Sequence, residues 1–333
     1  MNSPATVSSP VPGLVLAALG GGLGLLVHWW FPGVQAGTVA VVLGAVLVNL
    51  GVLPEWAGPG LAVAAKQLLR LAVVLLGFAL SLREVAQLGG PGLLVVLATV
   101  ACAFTGTLVL ARALKLPRAT GLLVATGFSI CGASAIAAME PMARGKKDDT
   151  AVAVSLVTLC GTLAIVVLPL LRLPLGLVEP ATFGQWVGAS VHDVGQTVAT
   201  ANTVPGALES AVIVKLTRVV LLAPMVFGVG LYLRRRWQDE PRDEGARKPP
   251  LVPLFVVGFL AAILVNSLVA LPQGFLQVAH TSQEALLTVA LFALGTTIRW
   301  QVMRRAGGRA LVLGLLAWLL VASVAYVGVR MIS

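Results

Sequence analysis

Thr126-Gly127-Phe128-Ser129-Ile130-Cys131-Gly132-Ala133-Ser134-Ala135-Ile136 and Ser190-Val191-His192-Asp193-Val194-Gly195-Gln196-Thr197 are two polar, glycine-bearing stretches inside segments apolar enough to cross a lipid bilayer. Hydrocarbon offers no hydrogen bonds. Polar side chains and helix-weakening glycines at membrane depth are therefore tolerated mainly where they line a cavity or a protein interior. In so apolar a chain, these two stretches are the expected place for a bound solute.

The surrounding composition sets the class. Of 333 residues, 58% are hydrophobic and 11% charged, against about 25% charged in a soluble domain; the mean hydropathy is +0.97. The chain is expected to be an all-α integral membrane protein. Few aromatics and abundant Leu, Val, Ala and Gly suit closely packed helices rather than a barrel of alternating strands. The net charge of +10 would point to nucleic acid in a soluble protein. Here the Lys and Arg sit in short loops between apolar spans, where they set orientation, and no nucleic-acid partner is expected. Cys102, Cys131 and Cys160 lie in apolar segments; the odd count argues against a disulfide framework. No His/Cys spacing suggests a metal, and no cofactor is expected. Met1 to Pro12 lacks a basic leader region and a small-residue cleavage site, so the first apolar stretch is expected to be a retained span.

Windows of roughly 20 apolar residues fall near 13–30, 35–53, 62–82, 92–111, 119–142, 150–171, 185–204, 211–233, 251–271, 284–300 and 310–330. They predict about eleven transmembrane helices in one polytopic domain. An echo links Lys66-Gln67-Leu68-Leu69-Arg70 to Lys215-Leu216-Thr217-Arg218, five spans apart. It fits two inverted five-helix repeats, 34–172 and 182–331, with an extra first helix at 12–30 and a basic connecting loop at 234–250. Most positive loops then share the side of the N-terminus, which is predicted to be cytoplasmic in a multi-pass inner-membrane protein. Arg144-Gly145-Lys146-Lys147 falls on the opposite side and disagrees. If 185–204 did not cross, the later loops would change sides.

Gly121, Ala125, Ser129, Ala133 and Ala137 recur every four residues on one helix face, a pattern that also suits close helix packing. Packing alone does not account for Ser129, Cys131 and Ser134 beside Gly127 and Gly132. Such a segment unwound at mid-membrane would present half-helix N–H groups to an anion. In the seventh window His192 and Asp193 are neighbours, and Gly188, His192, Gln196 and Thr200 share a face. Asp193 and His192 are candidates for a proton or coupling cation, and Gln196 for a donor to an oxyanion. By the repeat logic the tenth window adds Thr296 and Thr297, whose position near a helix end equally suits a cap. Lys66, Arg70, Lys215 and Arg218 lie near the starts of their windows and are expected to be snorkelling anchors; if the repeats are real, one or two could instead supply a positive vestibule for an anion. Glu140 and Asn49 are expected to be satisfied locally.

The segments GFSICGASAIAAM, SVHDVGQTVATA and KQLLRLAVVLLGFALSL closely resemble the YeiH-like sulfate exporter family of bacterial inner-membrane proteins, over nearly the whole chain from the second window on. The resemblance implies a fold related to the bile-acid:sodium symporters and sodium/proton antiporters, with discontinuous crossing helices in a core that moves against a panel. Carried over by motif, the substrate-binding candidates are Ser129, Cys131, Gly132, Ala133, Ser134, His192, Asp193 and Gln196.

The expected function is secondary transport of a small anion, sulfate-like or organic, by alternating access. Export is favoured because voltage drives a dianion outward by about 4.6 kcal/mol at 100 mV. The alternative is uptake coupled to Na+ or H+. A membrane-embedded enzyme using Cys131 or Ser129 with His192 is disfavoured, since adjacent helical residues point about 100° apart. Inverted-repeat transporters are often homodimers, but the sequence identifies no interface.

Overall fold

In the computed structural model the described residues are 9–32, 34, 36–79, 81–236, 254–298 and 300–332, and all regular structure among them is helical. The basic connector expected at 234–250 lies, from 237 onward, outside the described residues. Among the described residues, six helical rods are long and apolar enough to span a bilayer: Val11–Trp30, Glu55–Ala79, Gly89–Ala113, Lys147–Arg172, Leu208–Leu233 and Gly307–Ile332. The first is α1. The second joins α3 (Gly58–Val63) to α4 (Leu69–Leu76) through a π turn at Ala64–Leu68. After the short α5 (Leu82–Gln87) come the rods α6 (Gly89–Ala113) and α9 (Lys147–Arg172), followed by α12 (Leu208–Val220) continuing into α13 (Leu222–Arg236). The last lies in α16 (Trp300–Ile332), interrupted at Gly307. Two apolar helices are shorter, α2 (Ala36–Asn49) and α14 (Leu254–Leu268). A further long helix, α15 (Gln273–Gly295), has 23 residues and carries His280, Gln283 and Glu284 along its length.

The two polar windows behave differently from the expected crossing rods. The first splits into α7 (Arg118–Ser129) and α8 (Ala133–Ala143), the second into α10 (Pro180–Ser190) and α11 (Val194–Ala201). At the first break Ile130 leaves helical geometry (φ −116°, ψ −95°), and Gly132 sits at φ 69°, ψ −128°, a conformation costly for any residue with a Cβ. At the second, Val191 and Asp193 are extended (ψ 149° and 150°).

Each broken segment then turns back. Gly145, just beyond α8, packs on the start of α7 so closely that a methyl on it would come within 2.7 Å of the Ala119 Cβ. Thr120 in the first turn of α7 donates to the Asp149 carboxylate in the first turn of α9. A methyl on Gly206, before α12, would sit 3.5 Å from Pro180, the first residue of α10, and Ser210 Oγ donates to Ala181 O at 3.0 Å. Twelve helical residues rise about 18 Å, roughly half of a bilayer, so a straight rod could not bring its ends together. Both segments are hairpins that enter and leave at one end of the molecule.

The hairpins enter from opposite ends. Between them α9 runs the full depth, from Asp149 beside Thr120 to Arg172, whose Nε donates to Leu177 O at 3.0 Å before hairpin two begins. The tips meet: a Cβ on Gly132 would lie 3.7 Å from the Asp193 nitrogen. Where 119–142 and 185–204 were expected to cross, they reach mid-depth only. A hairpin of two half-length helices matches the length and apolarity of a spanning helix, and hydropathy alone does not separate them.

Hairpin two is held to α12 by glycines. A methyl on Gly184 would meet Ala207 O at 2.2 Å and one on Gly188 would meet Ala211 O at 2.3 Å, both backbone atoms that cannot yield. Gly188→Ala is therefore expected to lower stability by about 1–3 kcal/mol through overpacking. Gly228→Ala, where nothing lies within 4 Å, is expected to be neutral or stabilising by up to about 1 kcal/mol. Thermal unfolding of both variants in the same detergent checks the contrast; equal melting temperatures would contradict the parallel α10–α12 packing.

Candidate functional site

Two helices, α7 and α10, end at mid-depth and leave their last carbonyls without intrahelical partners. Two cations from one face of α12 take them up. Lys215 Nζ donates to Ile130 O (2.8 Å) and Val191 O (2.8 Å), and to His192 O. Arg218, one turn on, donates from Nε to Ser129 O (3.2 Å) and from Nη2 to Phe128 O (3.0 Å) and Ser129 O (2.8 Å). Its Nη1 reaches Gly188 O (3.2 Å), Ala189 O (2.6 Å) and Val191 O (3.1 Å). Both side chains are fully buried. They are not the snorkelling anchors expected from their sequence position; they tie both hairpin tips together. The signal was the i, i+3 spacing of two cations within the first half of an apolar rod, which places them on one face.

The facing N-termini are treated unequally. Asp193 caps α11, its Oδ1 accepting from Gly195 N at 2.8 Å, and Thr197 Oγ1 donates to Asp193 O at 2.8 Å. At α8 the capping position is Gly132, which has no side chain to offer. A cavity of about 270 Å3 reaches this point, lined at its inner end by Ala133, Asp193 and Gln196 and toward the hairpin-two end by Asn202, His28 and His280. Gln196 donates from Nε2 to Thr158 O at 3.3 Å, while its buried Oε1 has no partner among the described residues. A methyl on Gly161 would fall 1.8 Å from that oxygen, so the bare backbone of α9 is what makes room for the amide.

Of the residues singled out in the sequence, Ala133, Asp193 and Gln196 line the cavity, and Gly132 forms the turn beside it. Ser129 is behind the tip, its Oγ donating to Thr126 O (3.2 Å) and in contact with Met225 Sδ (3.8 Å). Cys131 and Ser134 are buried and do not appear in the cavity wall. His192 is fully buried and packs against Phe128, ring centroids 4.2 Å apart and planes tilted by 49°, with both ring nitrogens unpartnered among the described residues. No hydrogen bond therefore joins it to Asp193 or Cys131. Thr296 and Thr297 are elsewhere: their hydroxyls donate to Ala293 O and Leu294 O at 2.7 Å each, closing the end of α15. Glu140 pairs with Lys66 at 3.5 Å, and Asn49 caps the start of α16 through Trp300 N at 2.6 Å.

The sequence reading missed the wall contributed by α15. His280, Glu284 and Thr288 recur every four residues and face the cavity with Gln283, a polar stripe at helical spacing. α1 and α2 add His28 and Thr38.

The pinning cations generate a stability prediction. Arg218→Lys keeps the charge but loses the planar fork, stranding several carbonyls, and is expected to cost on the order of 3 kcal/mol. Lys66→Gln, at a side chain 60% exposed, is expected to change stability by less than about 0.5 kcal/mol. Melting of the purified variants checks this; a mild Arg218→Lys would mean the tips are held by something else.

The profile of the family described as "Conserved hypothetical protein 698" matches residues 12–314. The UPF0324 membrane protein of Corynebacterium glutamicum is 38% identical over 318 residues, covering 95% of this chain and 91% of the relative. That of Bordetella bronchiseptica is 38% identical over 291 residues, 84% of this chain and 89% of the relative. That of Pseudomonas aeruginosa is 36% identical over 331 residues, 95% and 93%. No solved structure matches the chain. With its all-helical build and six rods long enough to span a bilayer, the chain belongs to the UPF0324 family of membrane proteins.

Proposed function

We propose that this chain is a secondary transporter that moves a small anion by alternating access, the solute resting where the two hairpin tips meet. The observation that supports this most directly is the helix N-terminus of α8, whose capping residue Gly132 brings no side chain, at the inner end of a cavity. Free N–H groups and the positive end of a helix dipole form an anion site without fixed charge. Irregular backbone at membrane depth is tolerated where it lines such a cavity.

The lining also argues for a companion ion. Its titratable groups are Asp193, Glu284, His28 and His280, with no Lys or Arg, so an anion accompanied by a cation or proton would meet less repulsion from the carboxylates than one entering alone. This favours transport coupled to Na+ or H+ over unaided, voltage-driven export of a sulfate-like dianion. Nucleophilic catalysis by Cys131 or Ser129 is not favoured, because His192 is bonded to neither an orienting carboxylate nor a nucleophile.

A repeat supports the alternating-access reading. Gly127, Ser129 and Gly145 recur 61 positions later as Gly188, Ser190 and Gly206, at matching places in the two hairpins. The inverted unit is then a hairpin with its following long helix, shorter than five spans and paired differently from the fifth and tenth windows. The folding-back also moves Arg144, Lys146 and Lys147 to the end that holds Arg112, Lys115, Arg118 and Arg309, leaving Arg83, Arg172 and Arg330 opposite. By the positive-inside rule the basic end, shared with the N-terminus, is cytoplasmic, and the cavity opens outward.

At the cytoplasmic end the Lys66–Glu140 pair ties hairpin one to the π turn of the second rod. For a partly exposed pair worth up to about 1 kcal/mol, Glu140→Gln is expected to shift the balance between cavity-open and cavity-closed forms by up to roughly fivefold. The readout is the labelling rate of Ala199→Cys, in a Cys102→Ser background, by an impermeant thiol reagent. An unchanged rate would remove the latch from the mechanism.

The function itself is tested with purified protein screened by thermal shift against oxyanions, carboxylates and sulfonates, with and without Na+, because a ligand of the native state raises the melting temperature. Proteoliposome flux of the hits follows. Asp193→Asn retains the cap and removes the charge; it is expected to melt within about 1 kcal/mol of wild type while flux loses its dependence on the Na+ or H+ gradient. Gradient dependence that survives in this variant would move the coupling role away from Asp193. Absence of any anion-induced shift or flux would defeat the anion reading.

A further inference from the structure

A larger cavity, of about 880 Å3, lies at the outer end between the second rod, α14 and α15, and its wall includes Phe78, Ala270 and Leu276. The three elements around it are fastened to one another. The Ser267 hydroxyl of α14 accepts from Leu82 N, just past the second rod, at 2.9 Å. Phe78 packs edge-on against Phe275 of α15, ring centroids 5.2 Å apart. His280 and Gln283, three residues apart on one face of α15, line both this cavity and the one at the hairpin tips. Gln283 is 8% exposed, and its amide makes no hydrogen bond to a described residue. We propose that the larger cavity is the antechamber through which the solute reaches the hairpin tips, with Gln283 as the specificity-determining residue at the neck between them.

Depth is what makes the bare amide informative. Gln283 stands ten residues into α15, about 15 Å along the axis, halfway through a hydrocarbon core of about 30 Å. No lipid tail can satisfy an amide there. A polar side chain without a protein partner at that depth belongs beside water or a solute, and both spaces that Gln283 borders are cavities. An amide N–H and a neighbouring imidazole N–H can each donate to the oxygens of a small oxyanion or carboxylate. Neither adds a fixed positive charge that would hold the anion in transit, and a passage must release what it binds. The inference rests on the transporter reading and adds its entrance. With the second rod, α14 and α15 tied together, the antechamber keeps its shape while the neck, which also faces the tip cavity, opens and closes. The competing route is a direct approach to the tip cavity past Pro32.

The test labels Ala199→Cys, in a Cys102→Ser background, with impermeant thiol reagents carrying either a sulfonate or an ammonium group; Ala199 lines the tip cavity, and no transported solute is needed. Ala270→Trp and Gln277→Trp, both at exposed positions of the antechamber wall, are expected to slow both reagents at least about tenfold by occluding the passage. Pro32→Trp is expected to change either rate by less than about twofold. Either plug decides the matter if the other fails to fold. Gln283→Leu is expected to slow the sulfonate reagent by about fivefold, the worth of one hydrogen bond, and to leave the ammonium reagent unchanged, a contrast that a purely structural role would not produce. Labelling that neither plug slows, a block by Pro32→Trp instead, or equal effects of Gln283→Leu on the two reagents would each overturn the proposal. A protein that labels as expected but moves no anion in proteoliposomes would defeat the transporter reading while leaving the route to the tips in place.

Discussion

Two helices that stop halfway through a membrane protein create a shortage of donors. The carbonyls ending α7 and α10 cannot be left bare in a low-dielectric interior, where each unpaired group costs several kcal/mol. Lys215 and Arg218 supply that shortage from a single turn of α12. A guanidinium offers five N–H groups in fixed directions, and here they spread over carbonyls of both hairpins. The same contacts meet two needs: the carbonyls receive donors, and the buried cations sit at the negative ends of two helix dipoles. Without them the hairpin tips could not remain apposed.

Because the cations are consumed by carbonyls, the positive character that remains at the tips comes from backbone. The opposing helix starts, α8 and α11, differ in one residue. Asp193 brings a carboxylate to the start of α11 and spends part of it on Gly195 N. Gly132 brings nothing to the start of α8. The cavity therefore meets an acidic corner beside a dipole-positive one, an arrangement suited to binding unlike charges together rather than either alone.

Much of this was legible in the sequence, and the failures have physical reasons. The breaks at Ile130–Gly132 and Val191–Asp193 announced themselves through glycines and polar residues in apolar surroundings. That α7–α8 and α10–α11 fold back did not, since hydropathy counts apolar residues and is blind to chain direction. A trace was nonetheless present: Arg144, Lys146 and Lys147 stood on the wrong side of any topology in which 119–142 crossed. A hairpin returns them to the basic end and removes the conflict. Lys215 and Arg218 were misjudged because a cation close to the start of an apolar window usually snorkels; their role depended on what α12 packs against, which only tertiary structure supplies. Thr296 and Thr297 followed from a five-span repeat, and with α15 an unbroken helix from Gln273 to Gly295 that pairing gives them no tip to join.

Geometry also limits how the molecule could switch. Hairpin two is locked to α12 by methyl-excluding contacts at Gly184 and Gly188, and α12 is in turn bonded to hairpin one through Lys215 and Arg218. These elements form one unit that cannot easily shear internally without exposing charge. The opposite wall of the cavity, from α1, α2 and α15, touches this unit across the cavity itself. The cavity holds few of the bonds that define the unit, so motion of that wall against the hairpin unit would disturb the fewest buried hydrogen bonds. A carrier built this way would change access by moving the whole pinned core, keeping the carbonyl–cation network intact in every state.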